Sequence, residues 1–466
     1  MVPGASVPIS ASQIVLNCRL KHLRFISSLR SVYILTPLRS RCVKVTRLFL
    51  KMDNTAEVCC YPSQYNWIID DVILKEGIRD FTIDPTFASG KGENYLGVLY
   101  GLDVKGVKEN GEMKGLKLIL KIPLDSAIMR KKAPIHKMYA REAYAYNTLL
   151  PKLCALQEKY LIPEAERFRY IKCYQADSEE FQEYIILDDM RAKDFKMANR
   201  RQSLSVTHLK LALKTLASFH ALSFVFKKSN PEEFEEIGGK IGDLSDFNEG
   251  FTNYMEAMKS RALAIIEDPV LAEKIKDFEV SSTKLKEYLD PKGISPYSVF
   301  CHGDWWNNNM LFKFEIEGTL LHINNYVILL DWQLPKNCSP VIDIAYLMFT
   351  STDYDLRKNH FQELMDHYHE SLTRSLNLMD CDIEEYFPKP VFEEHLKKFL
   401  PYGLFMSFML LPAVLGEAED VPDMDELFSK DVHDAKDMKF ENKQASGRYD
   451  VRMNGVVRTF AEMNLI

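Results

Sequence analysis

Between residues 299 and 312 the chain reads Val-Phe-Cys-His-Gly-Asp-Trp-Trp-Asn-Asn-Asn-Met-Leu-Phe, and two of these side chains suit one chemistry. Asp304 is a carboxylate that can orient and deprotonate a hydroxyl. Asn309, five positions on, offers an amide carbonyl to Mg2+. A second acid belongs in such a site, and Asp331 supplies it after the strand-like run Tyr326–Leu330. The apolar residues flanking His302-Gly303-Asp304 predict a short strand, a glycine-assisted turn and a second strand. The 27 residues from Asp304 to Asp331 then fit a β-hairpin, with Glu315–Gly318 as its turn. The competing reading is a buried His302–Asp304 pair with a second core acid.

Other elements must bring partners to that loop. Tyr65–Lys75 has helical periodicity, with Ile68, Ile69, Val72 and Ile73 on one face. Phe81–Val104 reads as a hairpin around Ala88–Tyr95, a turn containing Gly90, Gly92 and Asn94 whose backbone amides could cover nucleotide phosphates. A plain hairpin turn is the alternative. Gly115–Leu124 predicts a strand with Leu116, Leu118, Leu120 and Ile122 on one face and Lys117, Ile119 and Lys121 on the other. Downstream, Met138, Glu142 and Tyr146 share one helical stripe, so Glu142 would face inward. Phe168–Tyr174 and Phe181–Leu187 read as two further strands, and Ser205 caps a helix to about Phe226 in which His220 reads as a core histidine. Residues 229–290 are helical and charged. Tyr254, Met255, Met258 and Leu263 there read equally as pocket lining or as core.

The His302-x-Asp304-x-x-x-x-Asn309 pattern, followed by a strand and Asp331, resembles the catalytic loop and metal-binding Asp of the protein-kinase-like superfamily. Gly303 after the His is the form seen in aminoglycoside and choline kinases. The longer string His302-Gly303-Asp304-x-Trp306-x-Asn308-Asn309-x-x-Phe312 resembles one branch, the insect ecdysteroid kinase-like family, also called CHK kinase-like. Arg141, Glu142 and Tyr146 match that family's Arg-Glu-x-x-x-Tyr helix. Asp343, in Ser339-Pro-Val-Ile-Asp-Ile-Ala-Tyr, matches an acid expected to brace the catalytic loop.

The resemblance spans about residues 60–420. It implies an α/β (α+β), protein-kinase-like bilobal fold with a small β-rich N-lobe and a larger, mainly helical C-lobe. The expected division is a basic leader at 1–51, a nucleotide-binding lobe at 52–190 and a catalytic, substrate-binding lobe at 191–466. ATP and Mg2+ are the implied cofactors, with Lys121 on the phosphates, Glu142 steadying it, and Asn309 and Asp331 on the metal. Leu187, Asp188 and Met190 fall at the inter-lobe hinge, where the family often has Glu in place of Asp188. Only eleven residues separate Asp331 from Asp343, too few for a peptide-docking activation segment. The implied acceptor is therefore a small-molecule alcohol, ecdysteroid-like or xenobiotic. A choline- or aminoglycoside-like polar alcohol is a second reading, and an inert pseudokinase that binds ligands is a third. Intact Lys121, Glu142, Asp304, Asn309 and Asp331 favour the enzyme.

Bulk properties narrow the setting. Residues 1–51 hold nine Lys/Arg and no acid, whereas the whole chain carries a net charge of −7. The body is thus acidic, which argues against nucleic-acid binding. The leader reads as a disordered or upstream segment, or as a mitochondrial signal. Nine cysteines without metal-ligand spacing fit reduced thiols and a cytoplasmic location. The uncharged stretch Phe399–Gly416, interrupted by Pro401, Gly403 and Pro412, reads as a buried helix rather than a membrane span. Nothing in the sequence sets an oligomeric state.

Overall fold

A computed structural model describes residues 59–88, 97–124, 126, 130–131, 134–245, 247–314, 325–417 and 443–466. The leader, the Gly90, Gly92 and Asn94 turn, and the Glu315–Gly318 turn lie outside the described residues.

The N-terminal part is a sheet with a helix on each face. Helix α1 (Asn66–Lys75) buries Ile68, Ile69, Val72 and Ile73, the face its periodicity marks. Strands β1 (Arg79–Phe87), β2 (Gly97–Val107), β3 (Met113–Pro123), β4 (Cys173–Asp177) and β5 (Tyr184–Asp188) form an antiparallel sheet in the order β1-β2-β3-β5-β4. Leu118, Leu120 and Ile122 of β3 share one hydrophobic core with α1. The alternation of the strand sends Lys121 to the opposite face, beneath helix α2 (Ile135–Tyr144). A π-helical turn, Ala145–Leu149, joins α2 to α3 (Leu150–Lys159). Pro151 lacks the N–H that an α-helix would donate to residue 147, so the wider turn is the local solution.

The two later strands begin further along than the sequence predicts. Phe168 and Ile171 leave the sheet and enter the large core, where the Phe168 ring lies 5.2 Å from that of Phe219. Phe181 is 63% exposed with a φ of 67°, in the turn before β5. Both stretches are apolar enough for strands, but the larger core claims the first and a turn claims the start of the second.

The C-terminal part is helical around α4 (Val206–Ser229), capped by the Ser205 hydroxyl as the sequence predicts. Helices α5 (Pro231–Ile241), α6 (Glu249–Leu263), α7 (Pro269–Lys276) and α8 (Ser282–Leu289) form an insert. Strand β6 (Val299–Cys301) leads to the catalytic-type loop, followed by β7 (Met310–Phe314), β8 (Asn325–Leu329) and β9 (Lys336–Cys338). β7 pairs with β8, while β6 pairs with β9, a strand the sequence did not reveal. Helices α9 (Val341–Ser351), α10 (Tyr354–Asn377), α11 (Ile383–Tyr386), α12 (Lys389–Phe399), α13 (Pro401–Leu415) and α14 (Lys443–Glu462) complete it.

By length and composition α4 is apolar enough to cross a membrane, but 78% of its apolar window is buried inside the fold. α13 is likewise a core helix, with Pro401 at its first turn. Met255 and Met258 are core residues, and Tyr254 and Leu263 pack against the same core.

Candidate active site

Asp304 lies on the loop between β6 and β7, and the loop's shape follows from a few residues. Gly303 has a φ of 80°, and a Cβ built there would stand 1.9 Å from the Leu334 carbonyl oxygen. Glycine is required both by conformation and by contact. The buried Asp343 carboxylate, at the start of α9, accepts the His302 amide at 2.7 Å and the Gly303 amide at 2.8 Å. His220 Nε2 lies 3.3 Å from the same carboxylate, and its Nδ1 is 2.7 Å from the Tyr368 hydroxyl. His220 is thus a satisfied core residue. Cys301, His220 and Asp343 cluster closely enough to suggest metal ligands, but both Asp343 oxygens are already spent on the loop.

His302 fastens this loop to the next strand. Its Nε2 lies 2.9 Å from the Leu330 carbonyl, and its Nδ1 accepts the Asp304 amide at 3.3 Å. Burial lowers the His302 pKa, with Asp343 opposing, in keeping with a neutral ring that donates at one nitrogen and accepts at the other. The Leu330 amide in turn donates to the Asn309 carbonyl at 2.9 Å. Asn309 and Asp331 therefore stand side by side at the open end of the β7–β8 hairpin. Asp331 adopts a φ of 62°, a left-handed conformation costly for most side chains but tolerated by Asp.

The carboxylates and amides interlock. Asp304 Oδ2 accepts from Asn309 Nδ2 at 2.8 Å, and Nδ2 also reaches the Asp304 carbonyl at 2.9 Å. Those two acceptors fix which way the amide is turned, and among the described residues nothing donates to Asn309 Oδ1. Asp304 Oδ1 accepts from the Tyr346 hydroxyl at 2.5 Å. Burial, with the nearby Asp331 charge adding, pushes Asp304 up to about 6 against the bonds from Tyr346, Asn309 and Trp306.

Lys121 reaches this group from the sheet. Its Nζ lies 2.7 Å from Glu142 Oε2 and 2.8 Å from Asp331 Oδ1. Burial works against the Lys121 charge, but Asp331 and Glu142 outweigh it and hold the ammonium above the ordinary lysine range. Burial pushes Glu142 upward while Lys121 pulls it back, and Gln333 also bonds to its carboxylate. One cation is thus shared by two carboxylates from different parts of the chain.

At the expected hinge, Leu187 pairs with Ile119 of β3. The Asp188 and Asp189 amides are spent on the carbonyls of Lys172 and Lys117, and the Arg191 amide on the Asp189 side chain. The Met190 amide takes no part in these bonds. The Asp188 carboxylate pairs with Lys193. Arg191 forks onto Asp189 and reaches the Ala88 carbonyl at 3.2 Å.

The structure thus brings together Lys121, Glu142, Asp304, Asn309 and Asp331. Sequence reasoning missed Tyr346, although it lies three residues past Asp343 on one helix and so on a neighbouring face. It also missed Gln333 as a Glu142 partner and the β6–β9 pairing.

A structure described as that of a microcompartment-associated aminopropanol kinase aligns over 85% of this chain and 98% of its own, at 10% identity and a TM-score of 0.36. No curated protein matches. The sequence profile of the ecdysteroid kinase-like family matches residues 91–381, well over half of the chain. The chain belongs to the ecdysteroid kinase-like family.

Proposed function

We propose that this protein is an ATP-dependent small-molecule kinase that phosphorylates a hydroxyl of a lipophilic alcohol, such as an ecdysteroid or a xenobiotic. The observation carrying the proposal is the Lys121 ammonium held between Glu142 and Asp331, beside the Asp304–Asn309 loop. A phosphoryl donor needs a fixed cation on its phosphates and a base aligned with the acceptor, and these residues supply both.

In this reading, Glu142 keeps Lys121 charged and aimed, so Lys121 can bind the α- and β-phosphates. Asn309 Oδ1, with no donor among the described residues, and the Asp331 carboxylate, 27% exposed, fit a hard cation that takes oxygen ligands. Mg2+ held there would neutralise charge on the phosphate oxygens. Asp304, kept in one orientation by Tyr346 and Asn309, orients the acceptor hydroxyl for in-line attack and takes its proton. The Met190 amide, which takes no part in the bonds around Asp188 and Asp189, would be the group to meet an adenine edge.

The apolar acceptor class is taken from the ecdysteroid kinase-like family, and the rings beyond Asp304, those of Tyr346, Tyr402 and Phe405, belong to the buried core. Tyr346 lies 6.3 Å from Tyr402, and Phe405, one turn further on α13, lies 6.3 Å from Phe251 of the insert. The test is incubation with Mg-ATP and a panel of steroid, plant-derived and quaternary-ammonium alcohols, with phosphorylated products identified by mass spectrometry. A phosphorylated lipophilic alcohol supports the proposal. A product formed only from choline-like or sugar-like alcohols would replace the acceptor class, and absence of Mg-ATP binding by folded protein would remove the kinase reading.

A further inference from the structure

We propose that Arg141 and Asp243 form a latch between helix α2 and the helical insert, and that this latch positions Glu142 against Lys121. The proposal rests on the reading of Lys121 and Glu142 as the nucleotide-side ion pair.

Arg141 and Glu142 are neighbours on α2, so their side chains leave the helix axis about 100° apart. Glu142 turns to Lys121 on β3. Arg141 turns away from the sheet, and its Nη2 donates to the Asp243 carbonyl at 3.1 Å. Asp243 lies in the loop between α5 and α6, on the other side of the interface. One turn earlier on α2, Lys137 Nζ reaches Asp243 Oδ2 at 3.0 Å and the Ser245 hydroxyl at 2.9 Å.

The loop is shaped to receive these two cations. Asp243 Oδ1 accepts the Ser245 amide at 2.8 Å, an Asx turn that ties the carboxylate to its own loop. These bonds and Lys137 hold the Asp243 carboxyl well below the usual range. The Lys137–Asp243 pair is nearly half exposed on both sides and contributes little alone. Arg141 is only 6% exposed, so its bond is the one shielded from water.

α2 is therefore held from two sides by different parts of the chain. Movement of the insert away from α2 must break the Arg141–Asp243 bond or draw Glu142 off Lys121. The same loop continues into Phe247 and α6, whose Phe251 ring packs 4.9 Å from Phe247 and also faces Phe405. The insert is thus mechanically joined to the helix that carries Glu142. Arg141 and Asp243 are positioning residues, acting through Glu142.

The test uses the full chain, with Mg-ATP affinity measured by calorimetry and hydrogen exchange followed across residues 135–144. Arg141→Met should weaken Mg-ATP binding about tenfold and speed exchange across α2 by a similar factor, with Arg141→Lys recovering part of both. A merely structural role would lower the melting temperature and leave the nucleotide affinity of the folded protein unchanged. Unchanged affinity and exchange in folded Arg141→Met overturns the latch. Should that variant not fold, Arg141→Gln, a shorter side chain that keeps a polar end but lacks the guanidinium Nη2, replaces it. Faster α2 exchange there supports the latch, and wild-type exchange overturns it. If the unmodified protein binds no Mg-ATP, the kinase reading fails, and α2 exchange in the variants still decides whether the latch exists.

Discussion

The Tyr346 hydroxyl donates to Asp304 Oδ1 at 2.5 Å, while Asn309 holds the other carboxylate oxygen at 2.8 Å. The proposed base is thus fixed at both oxygens before any acceptor arrives. A hydrogen bond to a charged group contributes about 1.5–3 kcal/mol. Tyr346→Phe should therefore lower kcat by about tenfold or more while leaving the KM for ATP close to unchanged. Steady-state kinetics check this, and a loss confined to KM would contradict the positioning role.

Gly303 tests the loop itself. Its φ of 80° and the 1.9 Å approach of the Leu334 carbonyl leave no room for a methyl group. Gly303→Ala should displace the loop or unfold it, at a cost of roughly 3 kcal/mol or more. Thermal denaturation reads the result, and a variant with wild-type melting temperature and turnover would show that the Leu334 backbone yields freely.

Lys121→Met removes the cation that Glu142 and Asp331 share. Glu142 is 1% exposed, and burial already raises its pKa above the ordinary 4.5. Without Lys121 its folded-state pKa rises further, so the folded form holds a proton that the unfolded form has released. Stability of this variant should then fall as pH rises above about 4.5, more steeply than in the wild type. Denaturant titrations between pH 5 and pH 8 check the slope, and parallel pH profiles would refute the pairing.

How much of this was legible in the sequence depends on the kind of contact. The buried face of α1 followed from its 3.6-residue period, and the inward turn of Lys121 from strand alternation beside Leu118 and Leu120. Glu142 met Lys121 because helical spacing put it among apolar neighbours. Phe168 and Ile171 read as strand residues, because periodicity cannot tell which of two cores will claim a short apolar run. Arg141 and Asp243 were invisible as partners. They lie 102 positions apart, and the acceptor is a backbone carbonyl, which has no residue type to read.

His395 gives a second pH-dependent expectation. Its Nδ1 lies 2.8 Å from the Ser339 hydroxyl, and burial, with Lys398 adding, lowers its pKa to about 4. The unfolded form protonates first as pH falls below about 6.5, so the stability it contributes is present above that value and is lost progressively down to about 4. Melting temperatures across that window should fall less in His395→Gln than in the wild type. Identical profiles would place the acid sensitivity elsewhere.

The most direct measurement compares Mg-ATP binding with phosphoryl transfer in wild type and Asp304→Asn, on whichever alcohol the acceptor panel identifies. The expected result is near-normal Mg-ATP affinity in the variant with transfer reduced about 10²–10⁴-fold, as for loss of a general base. Full transfer by Asp304→Asn would contradict the central claim that this carboxylate, held between Tyr346 and Asn309, drives the reaction.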